Sequence, residues 1–268
     1  MEKIPCSIGI LTYNSGQLLE RCFKSVAEFA EIIISDGGSA DDTLKIAEHH
    51  GCKIIQQSQI GQPIEDFSLE RNRMLDVASY DWFFYLDSDE VMSSELKGAI
   101  RKICENPAPE FLIYRVIQQN TSPDLKQKYQ DLKTRYQTRF FNKKTGARFI
   151  KKVHERIKFD KNRYQVGTIN APWYVPLSLD FNLYKTKVNY RLALMAQKWR
   201  NKNPLQFIWR CWLRPVFNMI KQFIKITGST MLIPPNQRVP ARYELFRVYS
   251  EWVFIKKFTQ QYLKNLAR

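Results

Sequence analysis

Residues 81–90 read DWFFYLDSDE: an unbroken apolar run, Trp82–Leu86, passes straight into Asp87, Ser88, Asp89 and Glu90. A short aromatic-rich run bounded by polar breakers is the pattern of a buried strand, here one whose carboxyl end carries acids. The same pattern recurs upstream. Ser7–Leu11 (SIGIL) enters the polar cluster Thr12-Tyr13-Asn14-Ser15-Gly16, and Glu31–Ser35 (EIIIS) breaks at Asp36-Gly37-Gly38-Ser39. Lys53–Gln56 (KIIQ) adds a further strand. Between these runs lie helical patterns: Leu18, Leu19, Cys22, Phe23 and Val26 recur at helical spacing, Asp41 or Asp42 is placed to cap the next helix, and Leu69–Ala78 forms a third. Strands alternating with helices predict an α/β fold, a mostly parallel sheet with helices on both faces.

Beyond residue 110 the pattern changes. Phe111–Gln118 alternates as a strand, residues 120–134 are polar and read as a loop with helical character, and Tyr136–Asn142, Phe149–Val153 and Ile157–Phe159 read as short strands. From Leu183 onward the spacing is helical. The expected organisation is an α/β domain over 1–182, divided into parts 1–110 and 111–182, followed by a helical region over 183–268.

The charge follows the same division. The chain of 268 residues carries 42 Lys+Arg against 26 Asp+Glu, a net charge of +16. Residues 1–110 hold 10 basic and 19 acidic side chains, 111–182 hold 15 and 5, and 183–268 hold 17 and 2. An acidic first part on a basic whole implies carboxylate chemistry at one end and an anionic partner at the other. A hydrophobic content of 44% excludes global disorder. The cysteines are five in number and form no CxxC pair, which argues against a disulfide scaffold or zinc ribbon and for a reducing cytosol. The start does not read as a signal peptide, and no apolar stretch has membrane-spanning length.

In parallel α/β sheets, ligands bind at the carboxyl ends of the strands. Three of the four N-terminal strands end in groups suited to a nucleotide. Asp87-Ser88-Asp89 presents two hard oxygen ligands at a strand end, a donor set for Mg²⁺ or Mn²⁺ bound together with substrate phosphates. Asp36-Gly37-Gly38-Ser39 lets backbone approach a ligand closely, and Asp36 can accept hydrogen bonds from a base or ribose. Neither GxGxxG nor GxxxxGK[ST] occurs, which disfavours a dinucleotide fold and a P-loop.

The runs SIGILTYNSGQLLERCFKSV, EIIISDGGSADDTLKIAE and ERNRMLDVASYDWFFYLDSDE, in that order, resemble family 2 glycosyltransferases of the GT-A fold over residues 4–95. The SDGGSxDxT pattern, Val153-His154-Glu155 and the basic C-terminal helices are similar to the lipopolysaccharide-core glucosyltransferase-like branch. The resemblance implies a metal-dependent, inverting transfer from a UDP-sugar to a lipid-linked saccharide. It assigns Thr12 and Asp36 to the base, Arg71 to the diphosphate or ribose, Asp87 to ribose and metal, and Asp89 to the metal, Mn²⁺ or Mg²⁺. The ED motif of many members is absent; Glu155 is then the expected base, with His154 beside the metal or diphosphate.

Residues 205–226 (LQFIWRCWLRPVFNMIKQFIKI) place Arg210, Arg214, Lys221 and Lys225 in one sector of roughly 60° on a helix, with Trp, Phe, Ile and other apolar residues filling the wide remaining face. Pro215 is expected to kink or restart that helix. The composition suits the surface of an anionic membrane; the alternative is that the apolar face packs on the catalytic domain or on a second subunit. The expected location is therefore cytoplasmic, peripheral on the inner face of the cell membrane. Two alternatives are a nucleotidyltransferase, whose Gly-rich basic loop is missing, and a nucleic-acid-binding protein. The acidic first half would repel nucleic acid, so no nucleic-acid partner is expected.

Overall fold

The computed structural model describes residues 2–62, 64–130, 132, 135–152, 155–198 and 203–266. Two compact units form: Met1–Gln119 with Thr134–Pro176, and Asn120–Lys133 with Leu177–Arg268. The polar stretch 120–133 thus groups with the C-terminal helices.

The first unit opens with β1 (Ile4–Thr12), α1 (Gly16–Val26), β2 (Phe29–Asp36), α2 (Thr43–His49), β3 (Lys53–Gln56), α3 (Phe67–Val77) and β4 (Trp82–Asp87). It continues through β5 (Val91–Met92), α4 (Ser94–Glu105), β6 (Ile113–Thr121), β7 (Arg135–Asn142), β8 (Arg148–Ile150), β9 (Arg156–Lys158) and β10 (Gly167–Pro176). Eight strands make one sheet in the order β3-β2-β1-β4-β7-β6-β10-β5, and β8 and β9 pair separately. The first four strands are parallel; β7 joins β4 antiparallel.

Register places the site. Thr12 lies across from Asp36, and Leu11 across from Asp87, so three polar strand ends meet at one edge. The period-2 alternation of strands sorts the apolar residues onto two faces. Ile8, Ile10, Phe84 and Leu86 pack with Phe23 of α1 and Leu96 of α4, whereas Phe83 and Tyr85 pack with Met74 and Leu75 of α3. Both faces are covered, as continuous apolar runs in parallel strands require. At Gly9 of β1 an added Cβ would lie 2.5 Å from Phe83 Cζ, so a residue without a side chain lets that ring cross the strand.

Three elements go beyond those expected from the sequence: β5, α4 and β10. β10 carries two prolines, Pro172 and Pro176, and its inward residues Ile169, Ala171 and Trp173 differ widely in size. The expected strand 149–153 is shorter, ending at Ile150, before Lys151 at positive φ.

The second unit packs α5 (Phe181–Lys198), α6 (Pro204–Ile208), a π-helical turn (Trp209–Leu213), α7 (Arg214–Leu232) and α8 (Ala241–Leu266) around Val188, Leu192, Phe207, Cys211 and Phe258. As expected of a proline, Pro215 sits where the helix restarts: α7 begins at Arg214 and Pro215 occupies its first turn. The π turn ahead of it absorbs the missing N–H, with Arg214 N–H bonding to Trp209 O, five residues back. Lys225, expected in the outward basic stripe, instead turns inward to Glu244 at 2.6 Å.

Candidate active site

Thr12 and Asp36 come together as their register dictates, with Thr12 Oγ1 donating to Asp36 Oδ1 at 2.8 Å. The Asp36 carboxylate also accepts from Ser39 Oγ (2.6 Å), Gly38 N (2.9 Å) and Ser39 N (2.8 Å). Four donors occupy the lone-pair positions of one carboxylate. Asp36 therefore fixes the shape of the loop 37–39, and the edge it offers a ligand is chiefly that loop's backbone. Gly38 adopts φ +87°, a conformation open to glycine at no steric cost. Gln57, unmarked by any sequence motif, closes the back of the loop, its Nε2 donating to Ser35 O at 2.8 Å and Thr12 O at 3.2 Å.

Arg71 is the centre of the second cluster. Asp66 caps α3 by accepting from Leu69 N at 3.1 Å, which sets the helix so that Glu70 and Arg71 both turn inward. Glu70 anchors the loop after β3 through Ser58 N at 2.9 Å. Arg71 lies between two acids from distant segments: Nη2 is 2.6 Å from Asp87 Oδ1 and Nε 2.7 Å from Glu155 Oε1. Its guanidinium stacks 4.4 Å from the Tyr85 ring centre, and Nη1 is buried without a protein partner. Burial pulls the Asp87 carboxyl upward, but the Arg71 and then the Arg139 cation overcome it and hold Asp87 below the usual carboxylate range.

Behind Asp87 lies a buried group that the sequence did not disclose. Glu90 pairs with Arg139 through both guanidinium Nη atoms, accepts from Trp173 Nε1 at 3.0 Å, and accepts from Asp87 N at 3.0 Å. Burial pushes the Glu90 carboxyl up to about 7, against the pull of Arg139. Arg139 is sandwiched by Tyr85 and Trp173, at 4.6 and 4.4 Å from the ring centres. These contacts hold the turn after β4, and with it the direction of Asp87, to β7 and β10. The adjacent Glu90 was the only available signal, since an acid directly after an acidic strand end needs a partner if the turn is buried.

Arg71, Asp87 and Glu155 open onto a cleft of about 870 Å³, within the range of small-molecule sites. Arg115, Arg135, Arg156 and Lys161 also line it, so cations outnumber acids and the cleft suits an anionic ligand. Asp89 is exposed two residues beyond Asp87. Among the described residues, no three His, Cys, Asp or Glu side chains converge on one point. The hard-oxygen pair Asp87 and Asp89 nevertheless fits a divalent cation that takes its remaining ligands from substrate oxygens and water. Of the expected site residues, Arg71, Asp87 and Glu155 share one cleft, and Thr12 and Asp36 form the neighbouring strand-end loop. His154 lies outside the described residues.

A family model described as "Glycosyl transferase family 2" matches residues 7–163, more than half the chain. Glycosyltransferase SunS of Bacillus subtilis (strain 168) is 34% identical over 97 residues, 35% of this chain and 22% of that protein. The lipopolysaccharide core biosynthesis glycosyltransferase LpsC of Rhizobium meliloti is 23% identical over 203 residues, 75% of each. The chain spans about a fifth of SunS and about a third of a TPR repeat-containing protein of Synechococcus elongatus that it also matches. Among solved structures, S. aureus TarS 1–349 in complex with UDP gives a TM-score of 0.48 at 15% identity, covering 99% of this chain and 92% of that one. The breadth of the family match over the strand ends, the Arg71 cluster and Glu155 decides the matter: the chain belongs to glycosyl transferase family 2.

Proposed function

We propose that this chain transfers a sugar from a UDP-sugar to a hydroxyl of a lipid-linked saccharide, such as a lipopolysaccharide core, with inversion at the anomeric carbon. The observation that carries the reading is Arg71 held between Asp87 and Glu155 on one basic cleft. A strand-end carboxylate on the donor side and a carboxylate from a later segment thereby face the same space. The 75% span shared with LpsC supports the acceptor class.

The loop 37–39, shaped by Thr12 and Asp36, receives the base. Asp87 and Asp89 would hold Mn²⁺ or Mg²⁺, which when bound supplies Lewis-acid neutralisation of the diphosphate. Arg71 Nη1, buried and without a protein partner, is available to a phosphate oxygen. Arg71 also fixes Oε1 of Glu155, leaving Oε2 for the acceptor hydroxyl. Glu155 takes that hydroxyl's proton as the oxygen bonds to the anomeric carbon, the bond from that carbon to the phosphate oxygen breaks, and UDP leaves with the electron pair. His154, one residue before Glu155, is assigned to the diphosphate side.

The test is a UDP-sugar panel with Mn²⁺ or Mg²⁺, read as donor binding and slow hydrolysis. Asp89→Ala is expected to abolish metal-dependent turnover. Glu155→Gln is expected to retain donor binding while lowering kcat for transfer by 10²–10⁴-fold, the usual range for a positioned general base. Absence of nucleotide-sugar binding with either metal overturns the reading.

A further inference from the structure

The helix from Pro204 to Leu232 is packed inside out. The side chains it buries most deeply toward its own unit, Phe207 apart, are small or polar. Cys211 and Pro215 are buried, Asn218 Nδ2 donates to Glu251 Oε1 at 3.0 Å, and Gln222 and Lys225 both reach Glu244. The side chains it turns outward are large and apolar: Trp209 is 61% exposed, Phe217 55% and Ile224 66%, with Trp212, Ile220 and Phe223 beside them. A helix serving only its own core packs the opposite way. A contiguous exposed apolar face of this kind marks a contact surface.

Charge decides what the contact is with. Arg210, Arg214 and Lys221 are exposed on the same helix, Lys221 Nζ sits 4.3 Å from the Phe217 ring centre, and residues 204–232 contain no Asp or Glu. Pairing two copies through this face would set like cations together with no carboxylate on the helix to meet them. Among the described residues no helix is long and apolar enough to cross a membrane. We propose that Pro204–Leu232 lies in the interfacial plane of an anionic lipid bilayer. Trp209, Trp212, Phe217 and Phe223 enter the acyl boundary, while Arg210, Arg214 and Lys221 meet headgroup phosphates. This goes beyond the donor chemistry and is read without any nucleotide sugar.

The experiment is co-sedimentation of the full chain with phosphatidylcholine vesicles, with and without phosphatidylglycerol, across a salt series. Binding is expected only with phosphatidylglycerol and should weaken as salt rises. Each cation near an anionic surface is worth about fivefold in partitioning, so Arg210→Gln/Arg214→Gln/Lys221→Gln should bind roughly 100-fold more weakly. Trp209→Gln/Phe217→Gln should lose binding while keeping the wild-type circular dichroism and melting curve, because both side chains are exposed. Brominated lipids should quench the tryptophan fluorescence of the wild type. Equal binding to both vesicle types, or none to either, overturns the proposal. A wild-type dimer that Trp209→Gln/Phe217→Gln dissociates, without vesicle binding, assigns the face to a second copy instead.

Discussion

Arg71→Met removes the cation that two acids share and leaves a side chain of similar length. At about 4 Å between charge centres and an effective dielectric near 20, each pair is worth about 4 kcal/mol before desolvation. Asp87 keeps 48% of its side chain exposed, so water screens that pair, whereas Glu155 keeps only 16%. The expected net loss at pH 7 is about 3 kcal/mol, the low end for breaking a buried pair. For a unit of this size that corresponds to a fall in Tm of roughly 6–12 °C. The pH dependence gives the sharper test. In the wild type Asp87 is held below the usual range, so its contribution is complete above its unfolded pKa near 4 and is lost only as pH falls through the lower folded value. Between pH 7 and pH 5 the wild type therefore keeps it. Without Arg71 most of that contribution is absent at every pH, so the variant has little left to lose where the wild type loses it. The Tm gap between variant and wild type should narrow from pH 5 to pH 3. It should also close substantially when Asp87→Asn and Glu155→Gln are added. A gap that is equal at both pH values and unchanged by neutralising the acids would show that Arg71 acts through packing on Tyr85 rather than through charge.

Two further outcomes follow from the same region. Glu90 holds its proton up to about 7, so between roughly pH 4.5 and 7 the native state retains a proton that the unfolded chain has released, and stability falls as pH rises, by at most about 3 kcal/mol. Glu90→Gln should flatten that segment of the Tm–pH curve, and a curve parallel to wild type would remove Glu90 as its source. Gly38→Ala forces a Cβ into Ile60 at a φ of +87°, a strain of roughly 1–3 kcal/mol at the loop that Asp36 shapes. UDP affinity by calorimetric titration should drop by tenfold or more, and an unchanged affinity would refute that loop's part in nucleotide binding.

The parallel half of the sheet was legible because its signals are local. Each strand carries its own apolar run and its own polar stop, and parallel register alone then aligns Thr12, Asp36 and Asp87. Arg71 and Glu155 were named through motif resemblance; nothing in their own surroundings predicts that residues 84 positions apart share a hydrogen bond. The Glu90–Arg139–Trp173 group was missed for the same reason. Its partners stand 49 and 83 residues from Glu90, on strands that alternate weakly or carry prolines, so neither local propensity nor periodicity points at them. Long-range pairing of buried polar groups is specified by the assembled sheet, and a single sequence displays only its separate halves.

The C-terminal helix shows a different kind of limit. An angular projection sorts residues by direction but carries no sign: it does not say which side is inside. That sign comes from α8. Residues 183–268 contain two acidic side chains, Glu244 and Glu251, and both are directed at α7. Glu244 is almost fully buried and meets both Lys225 and Gln222. A buried carboxylate requires a cation and donors, so the polar side of α7 is drawn inward and Lys225 leaves the outer stripe. The apolar side is then turned outward by default, and the π turn ahead of Pro215 lets the helix continue through it. Two carboxylates on one helix thereby decide that its neighbour turns Asn218, Gln222 and Lys225 inward and its tryptophans and phenylalanines outward.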